Sequence, residues 1–326
     1  MRPSVSQNET AGAVDAAEAK AVDTSRYFAA GNGRIPGESD RRPLPRALSC
    51  RTMKKEFCLA LAAILQIGVL AAQQPANQPA AQPGRGRGGG FTEPRPLDFN
   101  DHEGYVSLFD GVSLKGWDGN PRFWRVEDGA LVGESTPANP SGNSYIVYRD
   151  LEAKDFTLKF EIKIEGTGGS GIQYRSRTGL PWLANISPAV IANTGPVNLN
   201  WMMTGPQADF WPSRVYTGQF YSENTPMRIL AWRGQVVEGF GARSKKLMAT
   251  IADREALGAI VRQNDWNQFT VIVRGGTFIH IVNGQLMAVM VDDDPASSNN
   301  QPGLFGIEIE ATTKVFVRSM WVKKLN

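Results

Sequence analysis

At 326 residues the chain can hold one large or two small domains. Its net charge is only +3, and from Gly104 onward basic and acidic side chains nearly cancel, which leaves no electrostatic footprint for nucleic acid or an anionic membrane. Both cysteines, Cys50 and Cys58, lie early and the only histidines are His102 and His280, so the remainder can hold no disulfide framework, cysteine nucleophile or Cys- or His-cluster metal centre.

Residues 1–52 read either as a disordered leader or as sequence upstream of a true start at Met53. Met53-Lys54-Lys55 and the apolar run from Leu59 to Ala72 form a secretory signal peptide over residues 53–72; the run is shorter than the ~20 residues of a spanning helix. Export to the periplasm or beyond the cell is therefore expected, with no membrane association after the signal is removed. Residues 73–103, with the run Pro83-Gly84-Arg85-Gly86-Arg87-Gly88-Gly89-Gly90, cannot bury a core and read as a disordered tether.

The folded domain is placed at residues 104–326, where the hydrophobic period becomes two. Phe156, Leu158, Phe160, Ile162 and Ile164 alternate with Thr157, Lys159, Glu161 and Lys163, which predicts a strand with one apolar face. Strands are also predicted at 123–126, 130–133, 145–148, 171–175, 207–210, 228–232, 269–274, 278–282, 286–291, 304–309 and 315–322. Asp128-Gly129 and Asn283-Gly284 are hairpin turns, because both positions tolerate φ > 0. Only 253–260 reads as helical. So many strands in one domain predict an all-β jelly-roll sandwich of two antiparallel sheets. The stretch 176–206, rich in Asn, Pro and Trp, has no clear period and reads as a long functional loop.

Gly166-Thr167-Gly168-Gly169-Ser170-Gly171 matches G-x-G-x-x-G, but strands flank it on both sides, so it reads as a glycine hairpin rather than a dinucleotide site. There is no G-x-S-x-G elbow and no Glu-x-Asp-x-x-Glu run to supply the paired carboxylates of a retaining glucanase. What remains is polar residues on strands. Gln173 shares a strand face with Arg175, Gln207 shares one with Asp209, and His280 sits between apolar neighbours. Each could be an ordinary solvated residue, and Arg175 with Asp209 a structural ion pair. Beside the tryptophans Trp182, Trp201 and Trp211 they suggest a carbohydrate site, since aromatic rings stack on sugar faces and amides and guanidinium groups bind hydroxyls. Trp117 and Trp124 are expected in the core.

Gly104-Tyr105-Val106-Ser107-Leu108-Phe109-Asp110-Gly111, with Gly116-Trp117, resembles the opening of the 3-keto-disaccharide hydrolase family. Phe123–Gly129, Asp155-Phe156, Ser170–Arg175, Tyr216-Thr217-Gly218 with Tyr221, Asp265-Trp266-Asn267, His280 with Asn283-Gly284, and the closing run Val315–Lys323 follow in the family's order. The resemblance implies a concanavalin A-like jelly roll acting on 3-keto-glycosides by C2 proton abstraction, elimination and hydration. On that chemistry Asp209 and His280 are assigned as base and acid in either order, Arg175 and Gln207 at the enolate and hydroxyls, Tyr221 as an assisting group, and Gln173 with the loop rings Trp182 and Trp201 on the sugar. The run Gly205-Pro206-Gln207-Ala208-Asp209-Phe210-Trp211-Pro212 departs from the family, which usually has an aromatic at Pro206 and a further acidic residue shortly after Asp209. That departure argues against a metal there, and no pattern supports a calcium ion or another cofactor. The expected partner is a carbohydrate, with a non-catalytic lectin-like domain as the alternative.

Overall fold

The computed structural model describes residues 92–212, 215–241 and 244–325; the leader, the signal segment and most of the tether fall outside them. The strands in chain order are β1 Val106–Ser107, β2 Trp117–Gly119, β3 Trp124–Glu127, β4 Ala130–Ser135, β5 Ser144–Ala153 and β6 Phe156–Gly166. They continue as β7 Ser170–Ser176, β8 Gly205–Phe210, β9 Phe220–Glu223, β10 Arg228–Ala231, β11 Gln235–Gly239 and β12 Lys245–Thr250. The last are β13 Asn267–Arg274, β14 Thr277–Val282, β15 Gln285–Asp292, β16 Gly303–Ile309 and β17 Thr313–Lys324. One sheet runs β12-β11-β15-β14-β13-β6-β17-β4-β3, with β1 added beside β17. The other runs β10-β9-β8-β7-β16-β5-β2. All the pairs are antiparallel except β11 with β15, so the predicted all-β jelly-roll sandwich is what forms.

The core lies between the sheets because alternation sends one side of each strand inward. In β6, Phe156, Leu158, Phe160, Ile162 and Ile164 are all buried, and Phe160 stacks on Phe269 of β13 at 5.0 Å. Each such side chain contributes about 1.5–3 kcal/mol on burial. Trp117 and Trp124 are buried as expected. Asp128-Gly129 and Asn283-Gly284 turn with positive φ at both residues, the requirement read from their sequence.

Three expectations change. The glycine run is not a hairpin: it is an arch carrying the chain from β6 in one sheet to β7 in the other. Its glycines are needed for close approach, since a Cβ on Gly168 would lie 2.1 Å from the Glu310 carbonyl oxygen and one on Gly169 2.3 Å from the Trp211 ring. The end of the tether is docked. Lys159 is nearly sealed within its sheet and donates to the carbonyls of Asp98 (2.8 Å) and Asp101 (2.6 Å), while His102 stacks on Trp321 at 4.3 Å. A buried ammonium needs acceptors, and this segment supplies them.

The third is the long loop, which contains a helix, α1 Pro188–Thr194, and a 3₁₀ turn at Leu199–Trp201. The Ser187 hydroxyl caps α1, Pro188 opens it and Gly195, at φ 74°, closes it. The single predicted helix, at 253–260, is observed as α2 Arg254–Gly258, capped by Asp253. Among the described residues no helix is long and apolar enough to cross a membrane.

Candidate active site

Cross-strand register decides which side chains meet. Tyr145 of β5 pairs with Glu308 of β16, Glu308 with Gly171 of β7, and Gly171 with Asp209 of β8. One step along, Gly306 pairs with Gln173, Gln173 with Gln207, and Gln207 with Tyr221 of β9. Because directly paired residues point to the same side, Tyr145, Glu308, Asp209, Gln173, Gln207 and Tyr221 share the face turned away from the core. Glu223 joins them, paired with Gly205.

Gln207 organises this face. Its Oε1 accepts from Gln173 Nε2, while its own Nε2 donates to Asp209 Oδ1 at 2.9 Å and to Glu308 Oε2 at 2.7 Å. One amide therefore bridges two carboxyl groups from strands about a hundred residues apart. Gly171 allows this: a Cβ there would sit 2.5 Å from the Gln207 side chain, in the gap between Asp209 and Glu308 that the amide crosses. Gln219 Nε2 donates to the other Asp209 oxygen, and its Oε1 is buried without a partner. Tyr145 donates to Glu308 Oε1 at 2.8 Å, and Asn143 Nδ2 donates to the same oxygen at 2.6 Å and to Glu310 Oε2 at 3.3 Å.

Asp209, Glu223, Glu308 and Glu310 are thus crowded together, and among the described residues no Lys or Arg hydrogen-bonds to them. Burial pushes the Asp209 carboxyl up to about 8, against the pull of Gln219 and Gln207, and the Glu308 charge adds to it. Burial and the charges of Glu308 and Asp209 push Glu310 up to about 8 as well. Glu308 and Glu223 are raised for the same first reason, desolvation of the charged form. The site therefore holds carboxylic acids that stay protonated near neutral pH, able to give a proton and, once ionised, to take one.

The long loop covers one end of this face. Arg149 of β5 holds Asp118 Oδ2 at 2.9 Å, Thr178 Oγ1 at 3.1 Å and the Asn200 carbonyl, and Asp118 in turn accepts from Trp201 Nε1 at 2.8 Å. At the other end, Arg122 donates to the Asn193 carbonyl (2.6 Å) and its side-chain oxygen (2.7 Å). Between these clasps lies a cavity of about 240 Å³ whose walls include Trp182, Trp201, Asn143 and Asn198.

A family model for the 3-keto-alpha-glucoside-1,2-lyase-like domain matches residues 104–323. The chain belongs to that family. A 3-keto-disaccharide hydrolase of Bacteroides thetaiotaomicron is 32% identical over 83 residues, which are 23% of this chain and 28% of that protein, so the match spans well under a third of the relative. Among solved structures, a carbohydrate-binding module from Bacillus subtilis is 17% identical, covering 64% of this chain and 96% of its own at a TM-score of 0.37. A Bacillus licheniformis beta-glucanase is 10% identical, covering 68% and 97% at a TM-score of 0.38.

In this 3-keto-alpha-glucoside-1,2-lyase-like domain, the residues expected from sequence divide into two groups. Gln173, Gln207, Asp209 and Tyr221 converge on one face, and Trp182 and Trp201 line the adjoining cavity. Arg175 and His280 are elsewhere. The β7–β16 register shifts between Gly306 and Leu304, and Arg175 takes a left-handed φ of 48°, so it leaves the face that Gln173 occupies. Its guanidinium is buried on the carbonyls of Lys154, Gly275 and Asn299 and on Asp155 at 3.0 Å; that ion pair, not one with Asp209, is the one formed.

His280 points into the core, 1% exposed, with its ring near Phe220 and Phe269. Its Nδ1 faces the carbonyls of Gly218 (3.3 Å) and Gln219 (3.1 Å), which makes it the donor; Nε2 then accepts from the Tyr174 hydroxyl at 2.7 Å. Burial lowers it to about 4, so it is neutral and supports the Gln219 backbone from behind. Sequence reasoning missed Glu308, Glu223, Glu310, Tyr145 and Asn143. A carboxylate spacing along one strand does not reveal the pair, because it is assembled across β8, β7 and β16.

Proposed function

We propose that this domain cleaves 3-keto-glycosides by elimination and hydration. The observation that carries the reading is the Gln207 amide bridging Asp209 and Glu308, two buried carboxyl groups whose proton affinities are raised. A C3 ketone acidifies the neighbouring C2–H. Asp209, ionised, takes that proton, and the electron pair moves through the enolate to form the C1–C2 double bond as the anomeric C–O bond breaks. Glu308, protonated, gives its proton to the departing oxygen. Water then adds across the double bond, its oxygen to C1 and a proton to C2, releasing the free 3-keto sugar. The second Nε2 hydrogen of Gln173 and the Tyr221 hydroxyl are the groups of this face suited to the substrate's oxygens, since both hydrogens of the Gln207 amide are engaged by the carboxyl pair. Release from the cell, in the periplasm or beyond, fits the signal segment read in the sequence.

The same carboxyl pair favours one rival, direct two-carboxylate hydrolysis of unoxidised glycosides. Turnover of 3-keto-glucosides and of their parents in D₂O, followed by mass spectrometry, separates the two. Elimination predicts cleavage of the ketones alone, with deuterium placed at C2 faster than the free product exchanges. Cleavage of the parents without C2 label would overturn it, and sugar affinity with no product would leave a lectin-like domain.

The pH dependence follows from the same groups. Asp209 acts only when ionised, so kcat/KM rises with pH along a limb near 8. Stability runs the other way. Asp209 and Glu310 hold protons in the folded state that the unfolded chain gives up near 4, so their contribution is full below that and is lost as pH rises through about 8. His280, lowered to about 4, removes stability as pH falls from about 6.5 toward 4. Thermal unfolding scans are expected to show Tm falling between pH 6.5 and 8.5 while kcat/KM climbs.

A further inference from the structure

We propose that the cavity beneath α1 receives the leaving half of the substrate and selects an uncharged, hydroxyl-bearing ring there, refusing anionic ones. The inference rests on the elimination reading above and adds to it a specificity.

Position is the first argument. Asn143 lines the cavity and its Nδ2 donates to Glu308 at 2.6 Å, while Trp182, also lining it, meets the Tyr145 ring edge-on at 6.0 Å. Tyr145 donates to Glu308 at 2.8 Å. The cavity is therefore one side chain away from the acid that protonates the departing oxygen, and whatever departs with that oxygen lies on this side.

Chemistry is the second. Trp182 and Trp201 offer two half-buried rings, and Trp201 is fixed by its hydrogen bond to Asp118. Asn120, Asn185, Asn198 and Ser187 add amide and hydroxyl groups, and among the described residues that line the space none is Lys, Arg, Asp or Glu. Ring faces plus neutral donors and acceptors match a pyranose. The two arginines that clasp the loop are engaged with other groups, Arg149 with Asp118 and Arg122 with Asn193. An anion would lose its hydration there without gaining a counter-charge.

The test compares kcat/KM of the full chain on three 3-keto-glucosides whose leaving groups are methanol, a neutral hexose and the matching hexuronic acid. The hexose substrate is expected to exceed the uronate by tenfold or more. Trp182→Ala is expected to lower the hexose-to-methyl ratio by about tenfold, the value of one lost ring stack, and Trp182→Phe to restore most of it. Asn185→Lys is expected to raise the uronate relative to the hexose. Equal rates on hexose and uronate, or an unchanged hexose-to-methyl ratio in Trp182→Ala, would overturn the proposal while leaving the elimination chemistry standing. If no 3-keto substrate is turned over, the chemistry falls instead, and tryptophan-fluorescence titration with glucose and glucuronate decides the cavity alone. Glucose binding lost in Trp182→Ala supports it; equal binding of both sugars, or of neither, refutes it.

Discussion

Asp209→Asn is expected to lower kcat/KM on a 3-keto-glucoside by about 10²–10⁴-fold, the range for loss of a positioned proton-transfer group. The fold should survive, because Asp209 is held as a neutral acid near pH 7 and the amide is its closest uncharged isostere. The hydrogen bonds can adapt: Gln207 keeps its acceptor, and Gln219 can rotate its amide so that the partnerless Oε1 accepts from the new NH₂. Removing a carboxyl that resists ionisation also removes its cost at high pH, so D209N should unfold at a higher temperature than the parent at pH 8.5. Circular dichroism and steady-state kinetics on the same preparation check both halves. Full activity in a folded D209N protein would remove Asp209 from the mechanism.

Arg175→Ala is expected to act in the opposite sense, with a stability loss of about 3–5 kcal/mol and little change in kcat of the protein that remains folded. The guanidinium, fully buried, joins the Lys154-Asp155 corner, the Gly275 turn and a second 3₁₀ turn at Ser298–Asn300, and lies 5.1 Å from the Phe278 ring centre. Removing it leaves three carbonyls and Asp155 without their shared donor and opens a cavity at one end of the sandwich. Urea unfolding should show the midpoint shift with an unchanged slope. A folded R175A protein of normal stability and depressed kcat would return Arg175 to the enolate role that its residue type suggested.

The contrast between these residues shows how far the sequence could be read. Period-two runs such as Phe156–Ile164 identified strands because each needs only its own neighbours. Gln173, Gln207 and Asp209 were legible for the same reason: they alternate with Ile172, Ala208 and Phe210. Arg175 obeyed the same alternation on paper, but a bulge next to it turned the side chain away, and no local signal marks a bulge at an arginine. The polarity of His280 suggests an available side chain, while its neighbours Phe278, Ile279 and Ile281 point equally to a core position. Glu308 lay beyond single-strand reasoning, because only the β16–β7–β8 register brings it to Asp209. In the long loop, α1 carried Ser187-Pro188 at its start and Gly195 at its end, capping marks that a search for hydrophobic period passes over.

Arg149 and Arg122 fasten the covering segment at both ends through hydrogen bonds made entirely within the chain. The loss of chain freedom that shapes the cavity is thus incurred during folding, not at each encounter. Less of the affinity for a ligand is spent on ordering the receptor, and the encounter resembles a key meeting a cut lock more than a glove closing on a hand.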